Sequence, residues 1–113
     1  MSVRLACPLC GHVVADGVDH IAPGACPGCG ARYAGGEPSA ADAVRTALTA
    51  FGAEQLDPGA VTDAVFRLTP ADSAARGVAV TSDERDGFYL WWLFVRHGDD
   101  DGPAAVIAAL LPG

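Results

Sequence analysis

Two short cysteine pairs constrain this chain more than anything else in it. They are Cys7-Pro8-Leu9-Cys10-Gly11 and Cys26-Pro27-Gly28-Cys29-Gly30, with fifteen residues between Cys10 and Cys26, and they hold all four cysteines of the 113-residue chain. Two C-x₂-C pairs at this separation read as a zinc site. Two cysteines three positions apart on a tight turn aim both sulfurs at one point. The proline after the first cysteine of each pair stiffens that turn by fixing φ. The glycine after each pair can take φ > 0, which closes the turn and directs backbone N–H groups at the sulfurs. Such hydrogen bonds spread the negative charge of four thiolates.

On these motifs, residues 5–33 resemble a zinc ribbon built from two rubredoxin-type CPxCG knuckles, over about a quarter of the chain. The resemblance implies that Cys7, Cys10, Cys26 and Cys29 are the ligands, that each knuckle ends a short β-hairpin, and that the metal is structural. It implies no particular activity, because zinc ribbons occur in many unrelated proteins. Size leads to the same metal independently. A segment of about 37 residues lies below the roughly 40 residues under which a domain needs metal or disulfide support. Val13, Val14, Val18 and Ile21 offer it a few apolar contacts and no real core. Metal binding would then supply most of its folding free energy, on the order of 10 kcal/mol. Four protein ligands leave no open coordination position, which favours structure over catalysis. One structural Zn²⁺ per chain is expected.

Iron is the competing cofactor. Rubrerythrin-like proteins carry a similar short module and transfer electrons through Fe–S₄, and tetrahedral S₄ suits either metal. An apolar shell with aromatics near the centre would favour iron. Within the segment, His12 follows the first knuckle glycine and Tyr33 is the one aromatic residue, so zinc is expected over iron. Since four cysteines complete the geometry, His12 and His20 read as solvent-facing loop histidines.

Composition excludes several chemistries. There is no lysine, which rules out a P-loop and any Schiff-base mechanism. The formal charge is −7, and the seven arginines (Arg4, Arg32, Arg45, Arg67, Arg76, Arg85 and Arg96) are scattered singly. Nucleic-acid binders show a basic patch or stripe, so a nucleic-acid-binding ribbon is only a third reading. There is no G-x-S-x-G elbow. His97 lies in a polar turn without a serine or cysteine partner and reads as a surface histidine. Asp99, Asp100 and Asp101, with Asp86, lack the ligand pattern of a calcium loop and read as solvated turns. No catalytic residue is expected, and the chain is not expected to be an enzyme.

The expected fold class is α+β. A small N-terminal Cys₄ zinc ribbon (1–37) is followed by a compact helix-rich domain with a short β-hairpin (38–113). Ala34-Gly35-Gly36-Glu37-Pro38, small and flexible and then stiff, reads as the linker. Ser39, Asp57-Pro58 and Thr69-Pro70 are helix starts. Gly52 and Gly77 suit the left-handed position that ends a helix. Apolar spacing places Val44, Ala47, Leu48 and Phe51, then Val61, Ala64, Val65 and Leu68, on buried faces. A short strand at 78–80, a polar turn at 82–87 and an aromatic strand Phe88–Val95 form the hairpin, with a helix from Thr81 as the alternative. Trp91 and Trp92 point to opposite faces of that strand, which reads as buried on both faces. Helices on either side are expected to cover both tryptophans, with the ribbon, a partner or a second copy as the alternative cover for one of them. A last helix covers 103–111.

No uninterrupted apolar run exceeds eight residues, where about twenty are needed to cross a bilayer. No signal peptide is read at residues 1–7, and four cysteines without an export signal point to metal rather than disulfides. The expected compartment is the cytoplasm. The expected role is protein–protein interaction, as an adaptor or regulatory module, with another protein as partner and no membrane. A rubredoxin-like electron-transfer protein is the alternative.

Overall fold

A computed structural model describes residues 3–18, 21–85, 88–96 and 102–111. Each cysteine pair sits where the chain reverses. Strands β1 (Val3–Ala6) and β2 (Val13–Val18) form an antiparallel pair around the first knuckle. Strands β3 (Gly24–Ala25) and β4 (Arg32–Glu37) do the same around the second. Helices α1 (Ala40–Ala50), α2 (Pro58–Phe66) and α3 (Pro70–Arg76) follow, then β5 (Val78–Arg85), β6 (Phe88–Val95) and α4 (Pro103–Ala108). The fold is α+β.

The helix boundaries follow local chemistry. Ser39 Oγ accepts from Asp42 N, Asp57 Oδ2 from Ala60 N, and Thr69 Oγ1 from Asp72 N, each at 3.1 Å. Each bond satisfies one of the orphan donors of a first helical turn. Pro58 and Pro70 occupy first-turn positions where no donor is lost. Gly77 ends α3 in the left-handed conformation at φ 71°.

The join between the two expected domains differs from expectation. Residues 34–37 are not a linker: they are the C-terminal part of β4, paired antiparallel with β6. The register sets Tyr33 opposite Phe94, Ala34 opposite Leu93 and Gly35 opposite Trp92, and an irregularity follows between Gly35 and Glu37. The glycines serve close approach. A Cβ on Gly35, at φ +131°, would lie 2.5 Å from the carbonyl oxygen of Trp91. Glycine inside a strand marks a bulge or a close backbone contact as readily as it marks a flexible join. The second cysteine hairpin and the aromatic hairpin therefore share one four-stranded sheet, in the order β3-β4-β6-β5.

The hairpin is also longer than expected. Residues 82–85, expected in a turn, extend β5 opposite Trp91, Leu90, Tyr89 and Phe88. Pairing against a long aromatic strand overrides the weak strand preference of Asp83 and Glu84. The helix alternative from Thr81 is overturned. Asp86 and Gly87 lie outside the described residues.

Both faces of β6 are covered, by different material. On one side Leu93 and Val95 join Ala34, Val44, Ala47, Leu48, Phe51, Val61, Val65 and Ile107 in a cluster built from α1, α2 and α4. On the other, Trp92 and Phe94 meet Leu5, Cys7, Ile21, Cys26 and Ala31 of the cysteine segment. The architecture is thus helices, sheet, cysteine segment.

Candidate metal centre

The two knuckles repeat one hydrogen-bond pattern. In the first, Cys7 N donates to His12 O at 2.8 Å and Gly11 N to Cys7 O at 2.7 Å. In the second, Cys26 N donates to Ala31 O at 2.7 Å and Gly30 N to Cys26 O at 2.8 Å. Gly11 and Gly30 take φ +82° and +80° with open space where a Cβ would be, so backbone conformation alone explains glycine there. The Leu9 and Cys10 amides point at the Cys7 sulfur, and Gly28 N donates to Cys26 Sγ at 3.3 Å.

These turns bring the four sulfurs together. Cys7 Sγ lies 3.7 Å from Cys29 Sγ, and Cys10 Sγ 3.5 Å from Cys26 Sγ. All four lie within 4.8 Å of one another. A tetrahedral ion with bonds of about 2.3 Å to sulfur sets its ligands about 3.8 Å apart. The donor set therefore fits a tetrahedral tetrathiolate metal ion. Among the described residues it is the one cluster of three or more metal-binding side chains.

The site is asymmetric in burial. Cys7 and Cys26, the first cysteine of each pair, are buried, while Cys29 is half-buried and Cys10 exposed. Burial pushes the Cys7 thiol up from 9.0 to about 12, outweighing the lowering by the Leu9 and Cys10 amides, with the neighbouring Cys29 and Cys10 thiols adding to the rise. A thiolate in this position needs a cation, and metal binding there displaces protons.

His12 is exposed and outside the sulfur cluster. It lies against the second knuckle, because a Cβ on Gly28 would meet His12 Cβ at 2.9 Å and Cys10 Sγ at 3.2 Å. Gly28 leaves the space in which the two turns meet. His20, His97, Asp86, Asp99, Asp100 and Asp101 lie outside the described residues.

The shell around the sulfurs overturns the expectation that helices cover both tryptophans, because the cysteine segment covers Trp92. Tyr33, Trp92, Phe94 and Leu90 close on the cluster that contains Cys7 and Cys26. Tyr33 and Phe94 lie with ring centroids 5.2 Å apart. The Trp92 indole nitrogen is buried with no hydrogen-bond partner among the described residues. Once Phe88–Val95 is read as buried on both faces, its second face needs a cover, and the cysteine segment is the nearest unassigned material. That was the available signal.

Elsewhere, Phe66 is 47% exposed at the end of α2. It stands edge-on to the half-buried Trp91, with centroids 5.3 Å apart and an interplanar angle of 68°. No helix among the described residues is long and apolar enough to cross a membrane. Comparison with family models, with curated proteins and with solved structures returns no match for this chain.

Proposed function

We propose that the chain is a non-catalytic zinc-ribbon protein that acts by binding another protein, with the metal as a structural staple. The observation that carries this reading is the closed set of four sulfurs, spaced for a tetrahedral ion with no position left for substrate. Cys7, Cys10, Cys26 and Cys29 would hold one Zn²⁺. Bound zinc would supply fixed geometry and charge neutralisation for four thiolates. The contact surface in this reading centres on the exposed Phe66 and the half-buried Trp91 beside it, aromatic residues of the kind enriched at protein interfaces. The formal charge of −7 favours a cationic partner surface over a phosphate backbone.

The test is metal content together with the absorption spectrum of protein purified without added metal. One zinc per chain and no visible bands support the reading. Phe66→Ser should then weaken partner binding while leaving metal content unchanged, and equal binding by the variant would remove the assigned surface.

One observation favours a second reading, a rubredoxin-like Fe–S₄ electron carrier. Tyr33, Trp92 and Phe94 supply the aromatic shell that the cysteine segment lacks by itself. Burial and amide–sulfur bonds are the levers that set the potential of such a centre. Iron with visible thiolate-to-metal bands, persisting after growth with added zinc, would decide for it.

A further inference from the structure

The sheet has one face covered by helices and one covered by the cysteine segment, and these covers are held by different forces. The helix-side cluster contains no cysteine. In the ribbon-side cluster, Cys7 and Cys26 are ligands and cover at once, lying with Leu5, Ile21 and Ala31 over Trp92 and Phe94. Without a metal, β1, β2 and β3 have few large apolar residues to hold them, and β3 is two residues long. Segments of that size do not keep their order alone.

Strand β4 is tied differently. It is paired with β6 from Arg32 to Glu37. Its Ala34 lies in the helix-side cluster, and the Arg32 guanidinium sits 5.8 Å over the Phe51 ring at the end of α1. None of these contacts involves a sulfur.

Resting on the assignment of the four cysteines as a metal site, we propose that metal occupancy controls one face of the sheet. When the metal leaves, β1, β2, β3 and both knuckles lose their order and uncover Leu90, Trp92, Phe94 and Tyr33. Strand β4 stays paired with β6, and the helix-side core stays folded. The boundary between metal-dependent and metal-independent structure falls between Gly30 and Arg32, ahead of the compositional boundary at residue 37. The chain is then a metal-gated display of an aromatic strand face.

The experiment uses the full chain carrying Trp91→Phe, so that Trp92 is the one remaining tryptophan. Metal is removed with EDTA under reducing conditions, and thiol titration confirms four free cysteines. The expected result is a red shift of Trp92 emission, new access to a polar quencher, and loss of amide-exchange protection in β1 and β2. Protection persists in β4, β6 and α1, and added Zn²⁺ restores the starting state. Unchanged Trp92 emission with four free thiols overturns the proposal. So does loss of protection in β4 and α1 together with β1, which would make the molecule one cooperative unit. If Trp91→Phe does not fold, amide exchange on the unmodified chain decides between the same outcomes. Failure of the metal-site reading shows separately, as no bound metal before EDTA and no uptake of Zn²⁺. Failure of the protein-binding reading leaves these readouts untouched.

Discussion

The two faces of β6 bury neighbouring residues of one strand, yet what holds each cover in place is different. Leu93 and Val95 lie under helices whose Val44, Leu48, Val61 and Ile107 form an ordinary apolar core. Trp92 and Phe94 lie under a segment whose largest buried aliphatic residues are Leu5 and Ile21 and whose remaining grip comes from cysteine. The helix side is stabilised by area removed from water. The cysteine side brings less apolar area and four sulfurs spaced for a metal ion, so in the proposed reading coordination stabilises it with apolar contact in support. A sheet can therefore be closed on one face by packing and on the other by a metal, with the strand between them reporting on both.

The largest expected effect breaks the ribbon side alone. Cys26→Ser removes a buried ligand from a site worth on the order of 10 kcal/mol of folding free energy to a segment of this kind. Metal titration should show affinity lost by orders of magnitude, while circular dichroism keeps the helical signal; an unchanged zinc affinity would contradict the assignment. The complementary change is Leu48→Ala, which opens a cavity beneath α1 at a cost of about 2–5 kcal/mol. Denaturant unfolding followed by helix signal should shift accordingly, and the folded variant should bind metal as before.

Acid separates the faces as well. Burial holds the metal-free Cys7 thiol protonated far above neutrality, with its pKa pushed up to about 12, so the metal must displace its proton. Apparent metal affinity should fall as pH falls, roughly tenfold per pH unit for each proton displaced. A competition titration at several pH values checks the sign, and affinity independent of pH would be incompatible with thiol ligands.

Two smaller effects sharpen the picture of the join. Gly35→Ala should destabilise by about 1–3 kcal/mol, because its Cβ would press on the Trp91 carbonyl oxygen. A true linker glycine would tolerate the change or gain from it, so thermal unfolding distinguishes strand from linker. Thr69→Ala removes one cap bond and should cost about 1 kcal/mol. Since α3 buries none of its residues, that loss should fray the helix and spare both cores, which amide exchange can localise.

Much of this was legible before any coordinates. Knuckle spacing, the prolines and the glycines at positions 11 and 30 are short-range instructions, and the chain obeys them residue by residue. The same holds for the caps Ser39, Asp57 and Thr69 and for the stop at Gly77. Gly35 and Gly36 were not legible, because one residue type serves two opposite purposes. Flexibility and close approach both require a missing side chain, and only the neighbour at Trp91 and Trp92 tells them apart. Strand β5 beyond Val80 was hidden for a related reason: Asp83, Glu84 and Arg85 are strand because of what they pair with.

The sequence by itself determined that four sulfurs can meet, where the helices start, and that Trp91 and Trp92 diverge. The helix starts and the divergence of the tryptophans depend on residues within a turn or two of one another, and the sulfur site on two such turns of matched design. Only the tertiary structure decided that β4 joins the aromatic hairpin in one sheet and that Tyr33, Trp92 and Phe94 close around Cys7 and Cys26. Those outcomes depend on which apolar face finds a cover, and burial is non-directional and indifferent to distance along the chain.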